Sequence, residues 1–119
     1  MKRFLLSAAL TLFTVNVYAT ESLIFDGGGY TIQILVGSLE KPIVAQVHFM
    51  SPGTEERVVL PRELLQIEEF DMDKEVLTMH FSNKDKPDLP GSFSLSVKKN
   101  KAVLSINGKE IKSDFDWEI

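Results

Sequence analysis

From Ser22 to its carboxyl end the chain alternates apolar and polar residues with a period of two, in short runs closed by turn residues. That period places alternate side chains on opposite faces of an extended strand, so each run reads as a half-buried β-strand. Ser22 to Phe25 leads into the turn Asp26-Gly27-Gly28-Gly29, and Tyr30 to Val36 then pairs with Pro42 to Met50 across the Gly37-to-Lys41 connection. In the second strand of that pair, Ile43, Ala45, Val47 and Phe49 are predicted to share one face. Ser51-Pro52-Gly53 is a turn, and Arg57 to Leu60 is a short strand that Pro61 interrupts.

Pro61-Arg62-Glu63-Leu64-Leu65 reads two ways, because a proline can also open a helical turn at its first position. The alternation of Leu65 and Ile67 with polar neighbours favours a strand. Asp71 to Lys74 then turns the chain, and Leu77, Met79 and Phe81 alternate on the way back. Asn83 to Gly91, with Pro87 and Pro90, is a loop inside one domain. Phe93, Leu95 and Val97 face Ala102, Leu104 and Ile106 across a Lys99-Asn100 turn, and Asn107-Gly108 is the strongest hairpin signal. Phe115, Trp117 and Ile119 alternate with Asp114, Asp116 and Glu118 at the end. The pattern predicts an all-β fold, a single small antiparallel meander of about eight to nine strands, closed as a barrel or packed as a sandwich. Val47, Phe49, Leu77, Met79, Phe81, Phe93, Leu95, Val97, Leu104, Ile106 and Trp117 are the predicted core.

The first nineteen residues break the pattern. Lys2 and Arg3, an apolar stretch from Phe4 to Val15 and a small residue at Ala19 have the three parts of a secretory signal. The apolar run falls short of the roughly 20 residues that span a bilayer. A signal peptide over residues 1–19 and one domain over residues 20–119 are expected. The chain has no cysteine, hence no disulfide and no thiol for a lipid anchor. These features point to a periplasmic or secreted protein without a stable membrane anchor. Signal removal takes two of the 13 basic residues, leaving 11 against 17 acidic and a formal charge of −6. That charge speaks against nucleic acid as a partner.

Tests for chemistry lead to no catalytic residue, metal or cofactor. A hydrolytic triad needs a histidine between a nucleophile and an acid; only His48 and His80 exist, and no serine sits in a Gly-x-Ser-x-Gly turn. Both histidines read as solvent-facing strand residues. His48-x-Met50 and Met79-His80 combine imidazole and thioether, as Cu(I) prefers. Adjacent strand residues point to opposite faces, however, and Met79 reads as core filling. Asp71-x-Asp73-x-Glu75 lacks the glycine and distant glutamate of a calcium loop. Asp26-Gly27-Gly28-Gly29 is followed by no lysine or helix that would make it a phosphate cradle.

Charge segregation is the remaining signal. Glu55 to Glu75 is strongly acidic, Lys84 to Lys112 is rich in lysine, and the end is acidic again. If Phe115 and Trp117 point inward, Asp114, Asp116 and Glu118 form an outward row of carboxylates. Beside the segment that carries Glu68, Glu69, Asp71, Met72 and Asp73, that row would make one negative surface able to steer onto a basic partner. Met72 and Tyr30 are the expected anchors there. The expected function is an exported, non-enzymatic binding protein: an inhibitor or immunity protein that blocks an envelope-targeting enzyme or toxin. A periplasmic carrier of a small lipid or metal, or an envelope assembly factor pairing through strand edges, is the alternative. Homodimerisation stays open.

Overall fold

The computed structural model describes residues 21–38 and 41–118; the expected signal peptide and Ile119 lie outside the described residues. Nine strands form two antiparallel sheets, each a meander built from one contiguous stretch of chain. Sheet I holds β1 (Glu21–Gly27), β2 (Tyr30–Ser38), β3 (Pro42–Met50) and β4 (Val58–Val59). Sheet II holds β5 (Leu65–Asp71), β6 (Val76–Phe81), β7 (Phe93–Lys98), β8 (Lys101–Ile106) and β9 (Lys109–Asp114). The sheets do not close into a barrel, so of the two predicted architectures the chain adopts the sandwich. Their inner faces share one core, and the whole predicted core set is buried in it. Phe49 of sheet I stacks on Phe93 of sheet II at 5.1 Å between ring centroids, and Phe81 meets Phe93 at 5.5 Å.

Both ends of the sequence-legible hairpins turn through left-handed backbone. Gly28 and Gly29 have φ of 60° and 86°, and Asn107 and Gly108 have 53° and 75°, the paired positive angles that a tight two-residue hairpin requires. Gly28 has a second reason to be glycine. A Cβ there would lie 2.9 Å from Ile111 of β9, at the side of the sandwich where β1 meets β9 and the Ser113 hydroxyl donates to the Asp26 carbonyl at 2.9 Å.

The structure departs from the sequence reading at three places, each with a local cause. In β3, Leu35 pairs with Gln46 and Val36 with Val44, so Ala45 is the extra residue of a β-bulge. The bulge reverses the inward phase: Val44 is buried, while Ile43 and Ala45 face out. Arg62–Leu64 forms a short 3-10 turn before β5 begins at Leu65, because Pro61 supplies the extended residue ahead of it. The Arg62 guanidinium donates to the carbonyl of Ala45 at 2.7 Å, occupying the edge of β3 that the short β4 leaves uncovered. Last, the ladder stops at Asp114 and the expected strand beyond it does not form. Phe115 and Trp117 are nevertheless buried and Asp116 and Glu118 exposed. The tail is held by Phe115 N donating to the Asn100 carbonyl at 2.9 Å and Trp117 Nε1 to the Lys99 carbonyl at 2.6 Å.

Trp117 is thus the clamp of the carboxyl end. Trp117→Ala is expected to lower unfolding free energy by about 3 kcal/mol or more, and Trp117→Phe, which keeps a ring but drops the donor, by about 1 kcal/mol. Urea denaturation of the two variants checks both values.

Candidate functional site

The strand order of sheet II decides which of the expected partner-binding residues meet. β5 and β9 are opposite edges of that sheet, so Glu68 and Glu69 stand on one edge and Asp114 on the other. The tail crosses between them. After Asp114 it passes the β7–β8 turn, and the Trp117 ring stacks on Phe70 of β5 at 6.5 Å. Asp116 and Glu118, the neighbours of Trp117, are thereby carried to the end of β5 where Asp71, Met72 and Asp73 make the turn into β6. Asp114 stays behind, 3.3 Å from Lys101 in an exposed pair.

Seven of the eight expected residues therefore gather along the β5 edge and the adjoining corner of sheet II, while Asp114 stands at the opposite corner of the same end. β5 contains no basic residue, and its acidic run is sharpened by a second bulge: Ile67 pairs with Met79 and Glu69 with Thr78, leaving Glu68 as the extra residue. The end of the sheet is mixed in charge, since Lys74, Lys98 and Lys99 sit among the carboxylates of Asp71, Asp73, Glu75, Asp116 and Glu118. Two of these carboxylates also hold local backbone: Asp71 accepts from Lys74 N at 3.0 Å, and Asp116 from Glu118 N at 2.9 Å. Met72 and Tyr30, the expected anchors, pack against the core instead of standing free; the Tyr30 ring lies 5.8 Å from Phe49.

The outer face of sheet II carries a second feature that the sequence reading did not assemble. Gln66, His80, Ser94, Ser105 and Glu110 are in register across all five strands. They line a shallow groove of about 630 Å³ that runs up to Ser82, Ser92 and Asn107. His80 Nδ1 is 2.7 Å from the Ser94 hydroxyl and Nε2 is 3.3 Å from Glu68. This is the connectivity of a nucleophile, base and orienting acid. Acyl transfer further needs donors aimed at an oxyanion. The backbone of Ser94 is paired on both sides, with His80 and with Ser105, so no main-chain donor there is free for one. The relay fixes ring and hydroxyl within a polar row and ties Glu68 to the face of the sheet. The register needed to see it arises only once the strands are aligned.

His48 is the other histidine, on the outer face of sheet I. Its Nε2 lies 2.8 Å from the Gln46 side-chain oxygen, which can only accept and so takes the ring's N–H. Burial, and secondly the nearby charge of Arg57, hold its pKa below the ordinary 6.5. The chain matches no family model, no curated protein and no solved structure, so the reading of these surfaces rests on their own chemistry.

A histidine with a folded pKa below its unfolded value binds a proton more readily in the unfolded chain. Its neutral-form stability is full above pH 6.5 and is lost as pH falls through that value toward the lowered folded one. Thermal melting of the wild type is expected to fall further between about pH 7.5 and 5.5 than that of His48→Gln. His80 is common to both proteins and cancels in the comparison.

Proposed function

We propose that the protein is an exported binding module of the inhibitor or immunity type, which docks a basic envelope-directed enzyme or toxin along the acidic β5 edge. One observation carries this reading: the Phe70–Trp117 stack brings two acidic segments, about 45 residues apart in sequence, to the same corner of sheet II, where carboxylates outnumber the lysines among them. Edge and corner are mounted on strands and on a clamped tail, so a partner orders little on binding them. Their charge acts at a distance, raising the rate of encounter with a basic surface more than the lifetime of the complex. Solubility alone also favours acidic surfaces, so the test must read partner kinetics.

The full mature chain is used to capture partners from an envelope extract, and association kinetics are then measured with a purified one. The triple variant Glu69→Gln, Asp73→Asn and Glu118→Gln spares the carboxylates of Asp71, Asp116 and Glu68, which hold Lys74 N, Glu118 N and the His80 ring. It is expected to slow association roughly 3- to 10-fold at low salt and to flatten its salt dependence. Asp114→Asn, at the opposite corner, is expected to leave the on-rate nearly unchanged. An unaltered on-rate in the triple variant would rule out docking through this edge.

A further inference from the structure

The β5 edge offers a backbone as well as a charge. β5 has a neighbour on one side only, β6. Ser82 N donates to the Leu64 carbonyl at 3.0 Å, and hydrogen-bonded pairs alternate along an antiparallel ladder. Gln66 therefore turns its peptide groups toward His80, while Leu65 and Ile67 turn theirs away from β6. Past the bulge at Glu68, Glu69 and Asp71 face β6 and Phe70 faces away. The Leu65 N–H goes to the Arg62 carbonyl. The Leu65 carbonyl, with the N–H and C=O of Ile67 and of Phe70, is left on the open side.

That side opens on a groove of about 290 Å³, lined by Ile67 and Phe70 of β5, by Ile43 and Val44 of β3, and by the cations Lys41 and Arg62. The two residues that β5 contributes are the same two whose N–H and C=O both stay free on the open side. Ile43 and Ile67 are each 37% exposed. Ile67 nevertheless belongs to an inward row in which Met79, Leu95 and Leu104 are completely buried. The apolar inner face of sheet II thus runs out past β5 into water. The other strand edges are better closed. On β3, Arg62 donates to the Ala45 carbonyl at 2.7 Å, and Pro42 has no N–H to offer. On β1, the Asp26 carbonyl is taken by the Ser113 hydroxyl of β9.

We propose that an extended segment of a protein partner, alternating basic with aliphatic residues, adds to β5 as an antiparallel strand centred on Ile67. The inference rests on the reading of the β5 edge as the docking surface and names how that edge is engaged. Pairing at Ile67 puts the partner residue opposite it on the inner side, over the groove, and puts that residue's two neighbours on the outer side. Over the groove, Lys41 and Arg62 disfavour a cation, while Ile43, Val44 and Phe70 take up an aliphatic side chain. On the outer side the neighbours come beside Gln66, Glu68 and Glu69, where carboxylates favour lysine or arginine. A bulge and like charges keep an edge from pairing with its own kind. Two β5 edges brought together would set glutamate against glutamate, whereas a basic strand is admitted. The extra residue of the bulge also sets the length of the pairing, since a regular strand that matches Leu65 and Ile67 falls out of register before Phe70.

The probe is a heptapeptide of alternating lysine and valine, blocked at both ends and titrated into the full mature chain while the Ile67 amide is followed by NMR. A saturable shift is expected, with deuterium exchange of that amide slowed roughly 10-fold or more at saturation. Methylating the valine amides, which point at β5 in this register, is expected to weaken binding roughly 10-fold or more; methylating the lysine amides, which point away, changes it less than about 3-fold. Ile43→Ser, off β5 and without change of charge, is expected to weaken the peptide about 3-fold or more. Should that variant fail to fold, the two methylated peptides on the wild type decide alone. No saturable binding at millimolar peptide, or an equal response to the two methylations, overturns the proposal. Protection of the Ile67 amide that grows with protein concentration and needs no peptide assigns the edge to a second copy and overturns it as well. The two readings fail separately. Binding that survives both methylations and falls in the Glu69→Gln, Asp73→Asn and Glu118→Gln variant keeps the acidic docking edge and sinks the added strand. Loss on valine methylation alone, with no effect of that triple variant, keeps the strand and sinks docking by charge.

Discussion

Everything else in this molecule depends on the burial of two sheet faces against each other. The chain has no cysteine, and every fully buried residue among those described is apolar, so cohesion comes from removing that surface from water and from close packing. The Phe49–Phe93 stack crosses the midplane, and Phe81, beside Phe93 in sheet II, extends the aromatic cluster on that side. With the inner faces consumed in this way, period two leaves the outer faces as the surfaces on which specificity can be written. They are written differently: sheet II is polar and acid-edged, and sheet I sets exposed Ile24 and Val59 beside the single charges of Asp26 and Arg57.

The strands and core were legible because alternation is a local property. Leu77, Met79 and Phe81, or Phe93, Leu95 and Val97, announce an inward face without reference to anything distant. The two bulges show where that logic ends. Pro42-Ile43-Val44-Ala45-Gln46-Val47 offers three consecutive small or aliphatic residues, so either phase fits the sequence, and pairing with β2 chooses the one that buries Val44. In Leu65-Gln66-Ile67-Glu68-Glu69-Phe70, two adjacent glutamates interrupt the alternation, and that interruption was a readable sign of a bulge. The choice between sandwich and barrel was not readable, since it depends on how two sheets meet.

The candidate surfaces divide along the same line. His48 and Met50, two residues apart in one strand, had to share a face, and the acidic runs were visible as composition. That Asp116 and Glu118 join β5 while Asp114 does not rests on Trp117 finding Phe70, a contact between opposite edges of a five-stranded sheet. The groove row from Gln66 to Glu110 likewise exists only after four registers are set. Chemistry assembled across strands is invisible to a reading that moves along one.

One further consequence follows from each sheet being a contiguous meander, with the segment from Leu60 to Leu64 as the bridge between them. As the chain is made from its amino end, sheet I is complete before any of sheet II exists, and its apolar face waits without a cover. The Arg62 guanidinium arrives immediately after β4 and closes the carbonyl edge of β3, so during that interval the vulnerable surface is a face and not also an edge. The same arrangement makes the two halves separable pieces of one hydrophobic interface. A split at the exposed Arg62-Glu63 peptide would yield complementary fragments whose reassembly reports on core packing and on the seam where β1 meets β9.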